Sequence, residues 1–218
     1  MVGSSQSGEV RLILGLGNPG ERYRDSRHNR GREVVEELAV RRHLELEVEE
    51  CGCRIAVDSS LILAIPETFM NRSGFAARCL LETRNLRPKQ MMAVYDDVAL
   101  PLGALRLRVK GGPGGQKGMA SVIENLRTEE IPRLRLGIAS ATDAEESSEL
   151  SDFVLSGFDA DEIETAAEQI QRAADACETW VREGAEVTMD RFNSPELEES
   201  CKTGDSQDRQ EEESKWTV

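Results

Sequence analysis

Two histidines occur in the 218 residues, and one of them has surroundings suited to catalysis. His28 stands in Arg27-His28-Asn29, within the polar run ERYRDSRHNRG that precedes a helix-like segment. An imidazole at such a place can act as a general base, although a loop histidine is often only a surface residue. His43 lies among charges at a helix end and reads as solvated. A carboxylate pair, Asp96-Asp97, directly follows the apolar run MMAVY. Acids at the C-terminal end of a buried strand sit where α/β proteins place their sites. Together these groups suggest a dyad: an aspartate orients one ring nitrogen, and the other takes a proton from water. No Gly-x-Ser-x-Gly elbow is present, so a serine nucleophile is not supported.

Two glycine-rich stretches could meet a ligand. Gly15-Leu-Gly17-Asn-Pro-Gly20 matches G-x-G-x-x-G after a strand-like run. A dinucleotide site needs the helix to open inside that motif. Here Pro19 and a polar stretch intervene, which argues for a tight turn that presents Asn18 at the sheet's edge. The second stretch, Lys110 to Gly118 (KGGPGGQKG), fails the Walker A pattern. It is still a backbone-rich loop opening a helix, with Lys110 and Lys117 at its edges, and suits a phosphate or an oxyanion. Arg106, Arg108 and Lys110 alternate along one strand, and Arg133 and Arg135 along another. Alternation sends such side chains out by one face, either as a solvated surface or as one that faces nucleic-acid phosphates.

These groups need a scaffold, and hydrophobic periodicity supplies one. Strands are predicted at 10–16, 44–48, 54–57, 61–65, 91–95, 105–109 and 134–138. Val34, Val35, Leu38 and Ala39 predict a helix running to about Arg42. A second helix is predicted over 68–85, with Phe75, Ala76, Cys79 and Leu80 on its apolar face. A short helix follows the glycine loop, and a long amphipathic one spans 161–184, with Ile163, Ala166, Ile170, Ala173, Ala174, Cys177 and Val181 in its stripe. Residues 140–151 read as a polar loop. Strands alternating with helices indicate a single α/β domain over 10–194, after a flexible N terminus, 1–9, and before a disordered acidic tail, 195–218.

Composition limits the function classes. The net charge is −14, but residues 1–138 hold 21 Lys+Arg against 18 Asp+Glu, and residues 139–218 hold 6 against 23. Binding answers to the local field, so the acidic total does not exclude a nucleic-acid partner. The five cysteines are an odd, scattered set, and Cys51-Gly-Cys53 has neither zinc-knuckle nor redox-motif spacing. They read as thiols in a reducing compartment rather than as a disulfide framework. No apolar run approaches the roughly 18 residues of a membrane helix. The first residues, MVGSSQSGEV, show no signal-peptide pattern.

Five motifs in series, LILGLGNPGERYRDSRHNRG, PETFMNRSG, YDDVALPLG, GGPGGQKGM and RLRLGI, resemble the bacterial-type peptidyl-tRNA hydrolase family over about residues 11–193. The resemblance implies a twisted mixed β-sheet flanked by helices, in a cytoplasmic, monomeric enzyme that uses no metal and no cofactor. It implies hydrolysis of the ester joining a peptide to the terminal ribose of tRNA, which recycles stalled peptidyl-tRNA. By position, His28 is similar to the family's catalytic base and Asp96 to its orienting carboxylate. Asn18 and Asn71 match residues that hold the ester and the peptide backbone. Tyr23 and Met70 match the lining of that cleft, with Tyr23 placed to meet the terminal nucleotide. Arg108 and Arg135 match positions that grip acceptor-stem phosphate. Lys117 departs from the pattern, since many members carry asparagine there in a GGHNG-like run. A lysine cannot accept a hydrogen bond, so Lys117 is expected to face an oxyanion or a tRNA phosphate, with Gly118 leaving room for backbone amides. The alternative is an RNA-binding relative without hydrolase activity. Retention of His28, Asp96, Asn18 and Asn71 argues against it.

Overall fold

The computed structural model describes residues 9–139 and 150–193. The acidic tail, most of the expected flexible N terminus and most of the polar loop at 140–151 lie outside the described residues. Seven strands form one sheet: β1 (Arg11–Gly15), β2 (Val48–Glu50), β3 (Cys53–Val57), β4 (Leu61–Pro66), β5 (Met91–Pro101), β6 (Leu105–Arg108) and β7 (Arg133–Ala139). Their order is β2-β3-β4-β1-β5-β7-β6. The inner strands β4, β1, β5 and β7 are parallel, and the outer pairings are antiparallel. Parallel strands covered on both faces must be apolar throughout, which is why LILG in β1 and all of β4 are buried.

The helices are α1 (Arg30–Arg41), α2 (Ser73–Thr83), α3 (Lys117–Leu126), α4 (Leu150–Leu155), α5 (Ile163–Glu183) and α6 (Ala185–Phe192). On one sheet face, Ile13, Val94 and Leu134 pack with Val34 and Leu38 of α1 and with Ala173, Cys177 and Trp180 of α5. On the other, Leu12, Leu14 and Tyr95 pack with Ala76 and Leu80 of α2 and with Met119 and Val122 of α3. This is the expected mixed sheet flanked by helices. Among the described residues, no helix is long and apolar enough to cross a membrane.

Several elements differ from expectation. The helix predicted over 68–85 begins as a 3-10 turn, Met70–Arg72, and the apolar stripe that α2 buries is Ala76, Ala77, Leu80 and Leu81, which leaves Phe75 67% exposed. Leu44 and Leu46 pack on the core without strand pairing, and β2 starts only at Val48. The strand predicted at 91–95 continues through both aspartates to Pro101. Helix α6 was not anticipated; it follows Gly184, whose positive φ of 87° turns the chain after α5. Cys51 and Cys79 form a disulfide that ties the β2–β3 turn to α2, which corrects the reading of all five cysteines as thiols. They are 28 residues apart in sequence, so only the folded sheet brings them within bonding reach. Cys53 remains a buried thiol, pushed up to about 12 by burial, with Glu67 and Glu50 adding to the effect.

The turn that carries His28 is fastened to the C-terminal part of the chain. Arg27 is buried, with its guanidinium 4.6 Å from the ring centroids of both Phe153 and Phe158. It donates to both carboxylate oxygens of Glu162, at 3.0 and 2.5 Å, and to the carbonyl of Ile138 at 3.3 Å. Its backbone N–H donates to Ser156 O at 2.9 Å. Three residues after His28, Gly31 lets the first turn of α1 press against the sheet; a Cβ there would overlap the carbonyl oxygen of Val94 in β5.

Removing one partner of a buried ion pair takes away a charge that the other was folded against. Arg27→Met is expected to cost about 3–5 kcal/mol, and Arg27→Met/Glu162→Leu to recover most of it, as measured by urea unfolding. A double variant as unstable as the single one would assign the stability to the aromatic and carbonyl contacts instead. For the disulfide, loop-closure entropy over the 28-residue separation corresponds to about 3.5 kcal/mol. Cys79→Ser, or addition of a reductant, should lower the urea midpoint accordingly. An unchanged midpoint would show that the bridge does not form in solution.

Candidate active site

The inner strands run parallel, so their C-terminal ends gather at one edge of the sheet, and the segments after them carry the candidate groups. The turn after β1 bears Asn18, the 3-10 turn after β4 bears Met70 and Asn71, and β5 itself bears Asp96 and Asp97. The 3-10 turn Arg27–Asn29, at the entry to α1, bears His28.

His28 Nδ1 lies 2.7 Å from Asp96 Oδ2 in a buried hydrogen bond. A carboxylate only accepts, so Nδ1 carries the proton in the neutral ring and Nε2 keeps its lone pair. His28 is 9% exposed and Asp96 2% exposed, so the carboxylate is the more deeply buried of the two. Asp96 Oδ1 accepts from Gln116 Nε2 at 3.1 Å. Gln116 was not singled out from the sequence. It is the N-cap of α3, where its Oε1 accepts from Met119 N at 2.7 Å.

Asn18 is fixed from both sides. Its backbone N–H donates to Asn29 Oδ1 at 2.7 Å, and its carbonyl accepts from Asn29 Nδ2 at 3.1 Å. Its side-chain Oδ1 accepts from Met70 N at 2.9 Å. The amide oxygen being used, Nδ2 is the atom left to donate to a ligand. Asn29 is a second residue whose positioning role sequence reasoning missed. It stands in the same motif as His28, yet nothing in the motif shows that its side chain turns back onto Asn18.

The remaining candidates divide. Met70 is buried, and Gly118 packs against it so closely that a Cβ would overlap Met70 Sδ. Asn71 is exposed at the rim. Tyr23 is half-buried, with the Arg22 guanidinium 4.4 Å from its ring centroid, so one aromatic face is already covered. Lys117 is exposed at the first position of α3 and has no partner among the described residues. The side chain of that loop that enters the dyad is its neighbour, Gln116.

The arginine strands are not a uniform basic surface. The β6–β7 register places Arg106 beside Arg135 and Arg108 beside Arg133, on the face that α2 and α3 cover. Arg133, expected to leave the sheet with Arg135, is instead buried, and donates to the carbonyls of Gly111, Gly112, Glu129 and Ile131. Burial pushes its guanidinium below the ordinary arginine value, with Tyr95 and Glu129 pulling the other way. It organises the glycine loop and is not presented to a ligand. Arg135 pairs with Asp97, and Arg108 is exposed. Among the described residues, no group of three or more His, Cys, Asp or Glu could hold a metal ion.

Residues 12–200 match the family model described as peptidyl-tRNA hydrolase. The chain is 39% identical over 188 residues to the peptidyl-tRNA hydrolase of Methylacidiphilum infernorum, covering 86% of this chain and all of that one. It is 43% identical over 189 residues to that of a Roseiflexus species, covering 84% and 86%. The structure is similar to that of peptidyl-tRNA hydrolase from Acinetobacter baumannii, with a TM-score of 0.78, 26% identity and coverage of 88% and 98%. With the dyad at the carboxyl edge of the sheet and likeness sustained over most of its length, the chain belongs to the peptidyl-tRNA hydrolase family.

Proposed function

We propose that this peptidyl-tRNA hydrolase cleaves the ester between peptide and tRNA with His28 as general base and Asp96 as its orienter. The observation that carries the reading is the 2.7 Å bond from His28 Nδ1 to Asp96 Oδ2, with Nε2 left without a partner among the described residues at the sheet's carboxyl edge. Nε2 accepts a proton from water as the water oxygen attacks the ester carbonyl. Asp96 steadies the imidazolium that forms. Asn18 Nδ2, aimed by the Met70 N–H on its own oxygen, donates to the developing oxyanion. The imidazolium then returns the proton to the departing ribose oxygen. A ribose alkoxide leaves far more readily than an amide nitrogen, so water and one base suffice and no covalent nucleophile is required.

Binding is assigned to the surroundings. Asn71 and Met70 line the peptide side, and Tyr23 offers its uncovered face to the terminal nucleotide. Arg108, Arg135 and Lys117 meet tRNA phosphate, with Arg135 sharing its charge with Asp97. The family reading carries with it a monomer working in the cytoplasm.

His28→Ala should lower kcat on a defined N-acyl-aminoacyl-tRNA by about 10²–10⁴-fold while the protein stays folded. Asp96→Asn should also lower kcat strongly and leave tRNA affinity unchanged, because an amide cannot hold the imidazolium as a carboxylate does. Near-normal turnover by His28→Ala would remove His28 from the mechanism. Arg108→Ala should weaken tRNA binding and flatten the log K against log salt slope by about 0.7–0.9. An unchanged slope would make Arg108 a solvated surface residue.

A further inference from the structure

Asp96 offers the protein two oxygens, and the roles assigned above use one. Gln116 takes the other, donating from Nε2 to Asp96 Oδ1 at 3.1 Å. The same nitrogen lies 3.2 Å from Met70 Sδ, and Oε1 accepts from Met119 N at 2.7 Å. Those partners decide which way the amide points. The Met119 N–H is a donor and requires the amide oxygen, so the NH2 group must face the carboxylate. Gln116 is 9% exposed, so water does not easily replace these bonds. Glutamine is not among the favoured capping residues, which are Ser, Thr, Asp and Asn. Its extra length is what lets one side chain cap α3 and reach β5 at once.

We propose that Gln116 is a positioning residue of this hydrolase. It tethers Asp96 Oδ1, so that Oδ2 alone faces His28 and the ring is aimed at the attacking water. The inference rests on the reading of His28 as the base. Without the tether the carboxylate can turn about its own side-chain bond, and the imidazole loses its fixed reference. Misplacement of a catalytic group by about 1 Å is enough to cost on the order of 10²-fold in rate. The tether is also neutral at every pH. The charged groups on the elements around the dyad are otherwise engaged or exposed: Arg27 with Glu162, Arg30 with Glu33, Asp97 with Arg135, and exposed Lys117.

Gln116→Glu separates tethering from capping. The glutamate keeps an oxygen for Met119 N–H but sets an acceptor and a negative charge against Asp96. Its kcat on N-acyl-aminoacyl-tRNA at neutral pH should fall about 10–100-fold, with KM little changed. The added carboxylate favours the imidazolium, so the acid limb of kcat/KM should move up by about one pH unit. Its urea midpoint should stay near wild type, because the cap is kept. Gln116→Met, which loses both bonds without adding charge, should lower kcat and the midpoint and leave the acid limb in place. Wild-type kcat in both Gln116→Glu and Gln116→Met would overturn the proposal, since a glutamate beside Asp96 can bind a proton and donate it to Oδ1 but a methionine cannot. So would activity losses in both variants that merely track a lowered midpoint, since a cap alone explains them. His28→Ala assayed alongside separates the two levels. If it is inactive while both Gln116 variants are normal, only the role of Gln116 falls; if it remains active, the base reading falls and the tether with it.

Discussion

Two adjacent carboxylates, Asp96 and Asp97, are buried side by side in a strand, and polar groups buried there must be given partners. Strand geometry sends them to opposite faces of the sheet, so each needs its own set. Asp97 finds Arg135 on the neighbouring strand and the backbone N–H of Ala99. Asp96 finds His28 from the segment before α1 and Gln116 from the segment before α3. Those helices lie on opposite sides of the sheet, so the dyad is held by both layers at once. Much of the architecture around the site follows from this demand. Gly31 lets α1 approach β5 closely, the Arg27–Glu162 pair holds the turn before it, and Arg133 shapes the loop that delivers Gln116.

Asn18 shows the same logic for a neutral group. Three hydrogen bonds, two exchanged with Asn29 and one accepted from Met70 N–H, set its backbone and its amide. Donors fixed in advance need no reorganisation when charge develops, which is the property the role proposed for Asn18 draws on.

The inner strands and the candidate pair His28 and Asp96 could be named from the sequence, because each depends on residue type and short-range period. His28 and Asp96 stand in motifs, and LILG and MMAVY can hardly be anything but buried strands. What was not legible depends on which element covers which. Alternation puts Arg133 and Arg135 on one face but does not say that the glycine loop closes over the first and leaves the second open. Helical spacing admits Phe75, Ala76, Cys79 and Leu80 as a face, yet the buried stripe is turned toward Ala77 and Leu81, because α3 packs there. Gln116 gave no signal, since it is an uncommon cap and its second partner is 20 residues away. Cys51 and Cys79 escaped for a similar reason. Their pairing exists only once α2 lies against the β2–β3 turn.

The placement of α5 has a consequence for how substrate arrives. It covers the sheet face opposite the one that carries Arg106, Arg108 and Arg135, and it exposes acids such as Glu164 and Glu168. Glu164 and Glu168 thus set negative charge on one flank, and Arg106 and Arg108 set positive charge on the edge strand β6 on the other. A polyanion drifting toward the acidic flank is repelled, and one drifting toward the basic edge is drawn in. Long-range steering of this kind acts before any contact forms and fades as salt shortens its reach. Helix α5 thus shapes the field that an approaching charge meets well beyond any contact its side chains make.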